Sequence, residues 1–154
     1  MYASRLLFCV GPRALQAIEE ASAKHRGSFG MELLKTARAD EVIEVEPTKL
    51  RFFFTVVPEM TNGFDQLHGG AYAALADVFT TAHLWGLQPE VAHVSMDFNV
   101  QYFRGIPVGT RVACETRATK VGGKVAFTHF SFIDPAEGTR FCEGSHTKAM
   151  VRKR

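Results

Sequence analysis

The segment from Asn62 to Gly70 carries the residue types that acyl transfer requires. It reads Asn-Gly-Phe-Asp-Gln-Leu-His-Gly-Gly and leads into an apolar stretch. Adjacent glycines at a helix start, here Gly69 and Gly70, leave backbone N–H groups uncrowded and without helical acceptors, so a carbonyl oxygen can approach them. These donors lie at the positive end of the helix dipole, where they would stabilise an oxyanion. A glycine-rich turn packed against a neighbouring segment is the alternative explanation.

One acidic residue, Asp77, interrupts the apolar helix predicted from Gly70 to about Trp85. The other residues of this helix are apolar on nearly every face, which is typical of a buried helix. Aspartate is a poor helix former away from the first turn, and burial of its charge requires compensation. A carboxylate near a thioester could attack the carbonyl carbon or deprotonate a water molecule. An exposed stripe on the helix, or a cap on a neighbouring loop, would explain Asp77 equally well.

Three further polar residues could support this chemistry. The side-chain amide of Asn62 could donate to a substrate carbonyl, and the hydroxyl of Ser95 could orient a water molecule. Each residue also has a structural explanation, because asparagine before glycine favours a turn and serine on a polar strand face is usually solvated. His68 is more typical of a structural histidine that hydrogen-bonds a backbone carbonyl than of a proton-transfer group.

Helices and strands of an α+β domain must position these residues. Pro12 and an apolar residue at every third position predict an amphipathic helix that ends near His25. Period-two alternation predicts a strand from Val94 to Gln101, with Phe98 on its apolar face and Ser95 on its polar face. Further segments rich in β-forming residues predict strands at Thr36–Ala39, Val42–Val45, Leu50–Val57, Arg111–Val121, Lys124–Ile133 and Arg140–Val151.

Turn residues arrange the later strands as an antiparallel meander. Gly122-Gly123 is expected to supply positive φ angles for a tight hairpin, and the residues from Pro135 to Gly138 mark the next reversal. A sheet of such strands can bury an apolar helix on one face. The prediction is therefore an antiparallel sheet wrapped around a central buried helix.

Composition excludes several classes of function. The 154 residues match one globular domain, and the net charge of +2 is far from the basic balance of a nucleic-acid-binding surface. Three widely spaced cysteines predict free thiols in a reducing compartment, and six scattered histidines give no metal-binding spacing. No run approaches the ~20 apolar residues of a membrane-spanning helix.

The two ends of the chain leave open interpretations. The residues from Met1 to Arg13 contain arginine and no acid, which fits either a short organellar presequence or an ordinary start to the first helix. A mitochondrial or a cytoplasmic location would follow. Basic residues near the C-terminus, including Arg152–Arg154, could serve a polyphosphate ligand or form a solvated tail.

Four elements in order resemble the hotdog-fold acyl-CoA thioesterases of the thioesterase-superfamily-member-2 (PaaI-like) type. They are Asn62, Leu67-His68-Gly69-Gly70, Asp77 and Val94-Ser95-Met96-Asp97. The resemblance implies a hotdog thioesterase domain over residues 29–154, preceded by an extension and amphipathic helix over residues 1–28. It also implies that Gly69 and Asn62 hold the thioester carbonyl, that Asp77 is the general base or nucleophile, and that Ser95 positions water. His68 completes the predicted catalytic set.

The resemblance further implies the ligand and the assembly. Acyl-CoA is the expected substrate, in fatty acid metabolism, and no separate cofactor or metal is expected. Such proteins form dimers that assemble into tetramers, so Asn62 and Asp77 are expected to meet across an interface. Strand ends and a hairpin are expected to bind coenzyme A through Tyr102, Arg104, Lys120, Gly122, Gly123, Lys124 and Lys148. Departures from the pattern, at Phe103-Arg104-Gly105 and in the more basic C-terminus, affect the phosphate contacts most.

Two other functions fit the same residues less well. A hotdog dehydratase or hydratase would pair a histidine with a carboxylate on the central helix, as His68 and Asp77 superficially do. A catalytically inactive acyl-CoA-binding module would not need all four polar groups around the thioester.

Overall fold

The computed structural model describes residues 10–25, 27–37, 39 and 41–151. Residues 1–9, which belong to the Met1–Arg13 segment that fits either a presequence or the start of a helix, and the basic tail Arg152–Arg154 lie outside these ranges. The helices and strands of the described residues are α1 (Val10–Lys24), α2 (Phe29–Ala37), β1 (Glu41–Glu46), β2 (Lys49–Thr55), α3 (Gly69–Leu87), β3 (Ala92–Tyr102), β4 (Arg111–Val121), β5 (Val125–Ile133) and β6 (Arg140–Val151). A 3₁₀ turn at Pro58–Met60 leads towards α3.

The six strands form one antiparallel sheet in the order β1-β2-β4-β5-β6-β3. Strand β3 follows α3 in the chain and pairs within the sheet with β6 alone, so it forms an edge. Helix α3 packs on the sheet, with Phe79 stacked on Phe52 of β2 at a ring-centroid distance of 4.8 Å. Each such fully buried aromatic side chain contributes roughly 1.5–3 kcal/mol. The predicted α+β architecture, with one long helix against an antiparallel sheet, is confirmed.

Helix α1 packs against the C-terminal half of α3. Val10, Ala14 and Ile18 are buried and belong to the same apolar core as α3. The approach is close because Gly86 has no side chain, and a Cβ atom there would lie 2.5 Å from the carbonyl oxygen of Val10. No helix of the described residues is long and apolar enough to cross a membrane.

Burial of α3 is incomplete along one stripe. Leu75, Ala76 and Phe79 are fully buried, but the side chain of Asp77 is 49% exposed and Thr81, one turn further on, is partly exposed. The stripe follows the three- and four-residue spacing of one helix face. Of the two interpretations of Asp77, the exposed stripe is therefore the one that a single chain shows, on a helix whose other faces are largely buried.

Two local predictions are wrong. The predicted strand Thr36–Ala39 begins inside helix α2, where Leu34 and Ala37 are buried at helical spacing. Gly122-Gly123 does not have positive φ angles, and the hairpin closes through a hydrogen bond from the Gly122 amide to the Val125 carbonyl at 2.9 Å. The reversal before Gly138 is confirmed, and this glycine has a φ of 72°.

Candidate active site

The loop before α3 is held by the side chain of Asn62. Its Oδ1 accepts hydrogen bonds from the backbone amides of Phe64 at 2.9 Å and Gln66 at 3.4 Å. Asp65 adopts a left-handed conformation with a φ of 55°, which aspartate tolerates better than most residues. The carbonyl half of the Asn62 amide is thus engaged in the loop. Its Nδ2 group has no acceptor among the described residues, so it is available to donate.

His68 is the N-cap of α3. Its Nδ1 accepts a hydrogen bond from the backbone amide of Gly70 at 2.9 Å, so a neutral ring carries its proton on Nε2. The expectation that His68 hydrogen-bonds a backbone carbonyl is therefore wrong, because the helix start offers free donors instead. A Cβ atom on Gly70 would lie 3.1 Å from this nitrogen. The cap engages one of the two glycine amides that the sequence offered for an oxyanion hole.

The amide of Gly69 remains the free donor at the helix start. It has no acceptor among the described residues, and the Gly69 carbonyl accepts a hydrogen bond from the Tyr102 hydroxyl at 2.9 Å. This contact joins the first residue of α3 to the last residue of β3. A cleft of about 520 Å³ opens beside it. The cleft is lined by Asn62, Phe64, Gln66, Leu67, Gly69, Tyr72, Tyr102, Phe103, Arg104 and Gly105.

Asp77 lies in a second polar group, further along α3. Its Oδ1 accepts hydrogen bonds from the hydroxyl of Thr81 at 3.2 Å and from the ammonium of Lys148 at 3.3 Å. Its Oδ2 has no hydrogen-bond donor among the described residues. The carboxylate is therefore held by one oxygen, and the other belongs to a side chain that is 49% exposed.

Lys148 does not lie where the predicted phosphate contact requires it. The residue is 3% exposed, and its ammonium is enclosed by oxygens of Asp77, Thr81 and Ser95. The physical reason is strand register, because Lys148 lies opposite Ser95 with its side chain towards α3. The prediction that Lys148 binds the phosphates of coenzyme A is corrected accordingly.

A β-bulge turns Ser95 towards the helix. The β3–β6 register shifts between Ser95 and Asp97, so Met96 is an extra residue and the alternation of side chains changes there. Ser95 and Phe98 consequently share the helix-facing side, and both contact His146. The prediction that Ser95 lies on the face opposite Phe98 is wrong.

His146 connects Ser95 to the backbone of α3. Burial lowers its pKa to about 4, so the ring is neutral near pH 7. The Thr80 hydroxyl donates to the Ala76 carbonyl at 2.8 Å, so it accepts from Nδ1 of His146 at 2.7 Å. Nε2 is then the acceptor for the Ser95 hydroxyl at 2.8 Å. The Ser95 oxygen also accepts from the ammonium of Lys148 at 3.4 Å, which leaves one lone pair to accept from a water molecule.

Sequence reasoning missed His146, Thr80 and Thr81. His146 and Lys148 are two residues apart in β6, and strand periodicity places both on one face. The sequence could have shown that shared face. It could not have shown that this face is opposite Asp77, because the contact joins residues about seventy positions apart.

The structure separates the predicted site residues into two groups within one chain. Asn62, Gly69, Tyr102 and Arg104 line the cleft, whereas Asp77 and Ser95 lie in the polar group around Lys148. Asp77 is eight positions after Gly69 in the helix, a rise of about 12 Å. One thioester carbonyl cannot contact both. The pairing of His68 with Asp77, which the dehydratase alternative requires, is not made within the chain for the same reason.

The predicted coenzyme A contacts are also divided. Lys120, Gly122, Gly123 and Lys124 form the hairpin at the end of the sheet that holds Lys148, since Val125 lies opposite Ala149. Tyr102 lies at the other end of β3, eight positions from Val94, which pairs with Ala149, and therefore about 25 Å from this end. One chain therefore does not bring all these residues to one ligand.

The described residues contain no cluster of three or more histidine, cysteine or acidic side chains able to hold a metal ion. Cys114 and Cys142 are free, buried thiols, and burial raises the pKa of Cys142 to about 12. These thiols are protonated at neutral pH and are poor nucleophiles.

Comparisons with known proteins agree with this fold. The family model of the Thioesterase superfamily matches residues 64–139. A Caenorhabditis elegans protein named "Putative esterase F42H10.6" is 30% identical over 115 residues, which cover 73% of this chain and 68% of that protein. The crystal structure of zebrafish thioesterase superfamily member 2 matches with a TM-score of 0.75 and 25% identity, over 89% of this chain and 98% of that chain.

A hypothetical thioesterase from Streptococcus pneumoniae TIGR4, solved with coenzyme A, has the same fold, with a TM-score of 0.67 and 16% identity over 74% of this chain and 87% of that chain. The names of the more similar relatives support hydrolase activity in general terms. The order of the matched sequence elements, the antiparallel sheet and the long helix lead to one conclusion. This chain belongs to the thioesterase superfamily and has its hotdog fold.

Proposed function

We propose that this protein hydrolyses acyl-CoA to a free acid and coenzyme A. The observation that carries the proposal is the free amide of Gly69, which lies with the Asn62 amide beside a cleft at the start of α3. Two such donors match the single oxygen that gains charge when a thioester is attacked. The structural neighbour solved with coenzyme A supports this choice of substrate class.

In the proposed reaction, the thioester carbonyl accepts hydrogen bonds from the Gly69 amide and Nδ2 of Asn62. A water molecule donates one hydrogen to Oδ2 of Asp77 and the other to Ser95. Its lone pair then faces the carbonyl carbon, and Asp77 takes the proton as attack occurs. The leaving thiolate needs no general acid, because thiols ionise with a pKa of about 8.5. Direct attack by Asp77 is the alternative step, through an acyl-aspartyl anhydride.

The two groups of residues require two chains to form one site. Strand β3 is a sheet edge whose exposed residues include Val94 and Met96, so it can pair with a copy of itself. Antiparallel pairing centred near Phe98 would bring Tyr102 of one chain close to Ser95 of the other. Gly69, which contacts Tyr102, would then face Asp77 of the second chain. Assembly of two such dimers into a tetramer remains a prediction.

Exposed cations would bind the nucleotide of coenzyme A. Lys120 and Lys124 flank the β4–β5 hairpin, and Arg104 lies on the rim of the cleft. In the proposed dimer these residues come from both chains. Their contacts are exposed and would contribute to KM more than to kcat.

The test is thiol release from short, medium, long and aromatic acyl-CoAs. Asp77→Asn should lower kcat by at least about 10²-fold with an unchanged circular dichroism spectrum. Glu90→Gln is the matched control, because this exposed carboxylate follows α3 outside both groups. Near-normal turnover by a folded Asp77→Asn protein would refute the role of Asp77. Absence of thiol release from the wild type with every substrate would refute the proposed function and favour the binding-module or dehydratase alternative.

A single turnover in ¹⁸O-labelled water separates the two chemical steps. With enzyme in excess, a general base places the label in the product acid at the first turnover. A nucleophilic Asp77, if water attacks Cγ of the anhydride, instead gives the product an unlabelled oxygen and keeps the label in the aspartate. If water attacks the acyl carbon, the product is labelled, and trapping the acyl-enzyme with hydroxylamine then identifies the covalent step.

A further inference from the structure

Lys148 is a buried cation with no part in the proposed reaction so far. Its ammonium donates to the Thr81 hydroxyl at 2.6 Å, to Oδ1 of Asp77 at 3.3 Å and to the Ser95 hydroxyl at 3.4 Å. An ammonium has three donors, so these contacts use its full capacity. Two of the three partners are the residues that hold water in the proposed reaction.

We propose that Lys148 is a positioning residue that fixes the orientation of Asp77 and Ser95. This inference rests on the proposed function. Lys148 and Thr81 both donate to Oδ1, so rotation of the carboxylate would break two hydrogen bonds. Oδ2 is thereby held in a fixed orientation. Because Lys148 also contacts Ser95, one ammonium sets the spacing of both water-binding groups.

The charge of Lys148 has a second effect. Two other titratable groups interact with Asp77, His146 from β6 and His93 from β3, and Asp97 of β3 acts on His146. Both histidines have a pKa lowered to about 4 by burial, so they are neutral near pH 7. Burial lowers the pKa of Lys148 and Asp77 opposes that shift. Among these neighbours, Lys148 supplies the positive charge that compensates the carboxylate when a second chain covers it.

The experiment compares Lys148→Met and Lys148→Ala with Lys49→Met. Lys49 is a matched control, because it forms a 2.8 Å salt bridge with Glu115 on the distant strand pair β2–β4. Lys148→Met should lower kcat by about 10²-fold, since small misplacements of reacting groups have effects of this size. KM should change by less than about threefold. Lys49→Met should retain wild-type kcat.

Chemical rescue separates positioning from packing. Butylammonium added to Lys148→Ala should restore part of kcat, whereas 1-butanol, a neutral molecule of similar size, should not. Equal rescue by both molecules would overturn the inference and assign Lys148 to packing. Wild-type kcat in a folded Lys148→Met protein would also overturn it, while leaving the proposed function intact.

Nuclear magnetic resonance provides a readout that does not depend on turnover. The wild type should show a Lys148 Nζ–H signal protected from solvent exchange, and Asp77→Asn should weaken that protection. An unchanged signal in Asp77→Asn would overturn the proposed contact even if the wild type hydrolyses no acyl-CoA.

Discussion

A site shared between two chains should be reconstituted from two inactive variants. Asn62→Asp keeps the oxygen that holds the loop but loses the Nδ2 donor, and Asp77→Asn keeps the shape of the side chain but loses the base. Loss of one oxyanion donor lowers kcat by about 10²–10³-fold, and loss of the base by at least about 10²-fold. Each variant alone should therefore be nearly inactive.

Mixed dimers of the two variants should regain activity, because the distance along α3 prevents one chain from supplying all the site residues. Gly69 and Asp77 are about 12 Å apart in one chain, so the proposed site would take Asn62 and Gly69 from one chain and Asp77 from the other. In a mixed dimer, one site receives both substitutions and the other receives neither. Random reassociation makes about half of the dimers mixed, and half of their sites are intact, so about one quarter of wild-type activity should return.

The assay is thiol release after the two variants are co-expressed with different affinity tags. Sedimentation first establishes that the wild type is at least a dimer at micromolar concentration. Doubly purified mixed dimers should have about half of the wild-type kcat per chain. Mixed dimers as inactive as their parents would show that each site lies within one chain, and a fully active monomer would refute the shared site directly.

Two further predictions concern pH and the nucleotide. His83 is buried, and burial lowers its pKa to about 4 in the folded protein, whereas the pKa of histidine in the unfolded chain is about 6.5. As pH falls, the unfolded chain therefore binds this proton before the folded protein does. Its contribution to stability is complete above pH 6.5 and is lost towards pH 4. Since His93 and His146 titrate over the same range, urea unfolding should show a loss of stability that is about 3 kcal/mol larger in the wild type than in His83→Gln. Lys120→Ala and Lys124→Ala should raise KM for acyl-CoA and leave KM unchanged for a truncated pantetheine thioester, which lacks the nucleotide. An equal increase in KM for both substrates would show that the lysines do not bind the nucleotide.

Local patterns in the sequence determine most of the fold. The apolar helix predicted from Gly70 to Trp85 is α3, and the three long strands after Gly109 lie within a residue of β4, β5 and β6. Helical and strand periods are properties of neighbouring residues, so they can be read without contacts. The error at Thr36–Ala39 arose because a short segment with β-forming residues also carries helical spacing.

The candidate site was predicted by residue type but not by arrangement. The glycine pair indicated free amides, yet only the structure shows that His68 engages Gly70 and leaves Gly69. Strand alternation indicated a polar role for Ser95, yet the bulge at Met96 reverses the face on which it lies. The bulge exists only in the pairing of β3 with β6, which alternation within β3 does not encode.

Lys148 shows most clearly what tertiary structure decides. Its charge and its place near the C-terminus predicted that Lys148 would contact a phosphate at the surface, because lysine side chains are usually exposed. Strand register instead places it opposite Ser95, and packing of α3 on the sheet places Asp77 beside it. The sequence by itself determined which residues can donate, accept or carry charge. Their distances depend on contacts between residues 50 or more positions apart, and these form only when the sheet and helix are assembled.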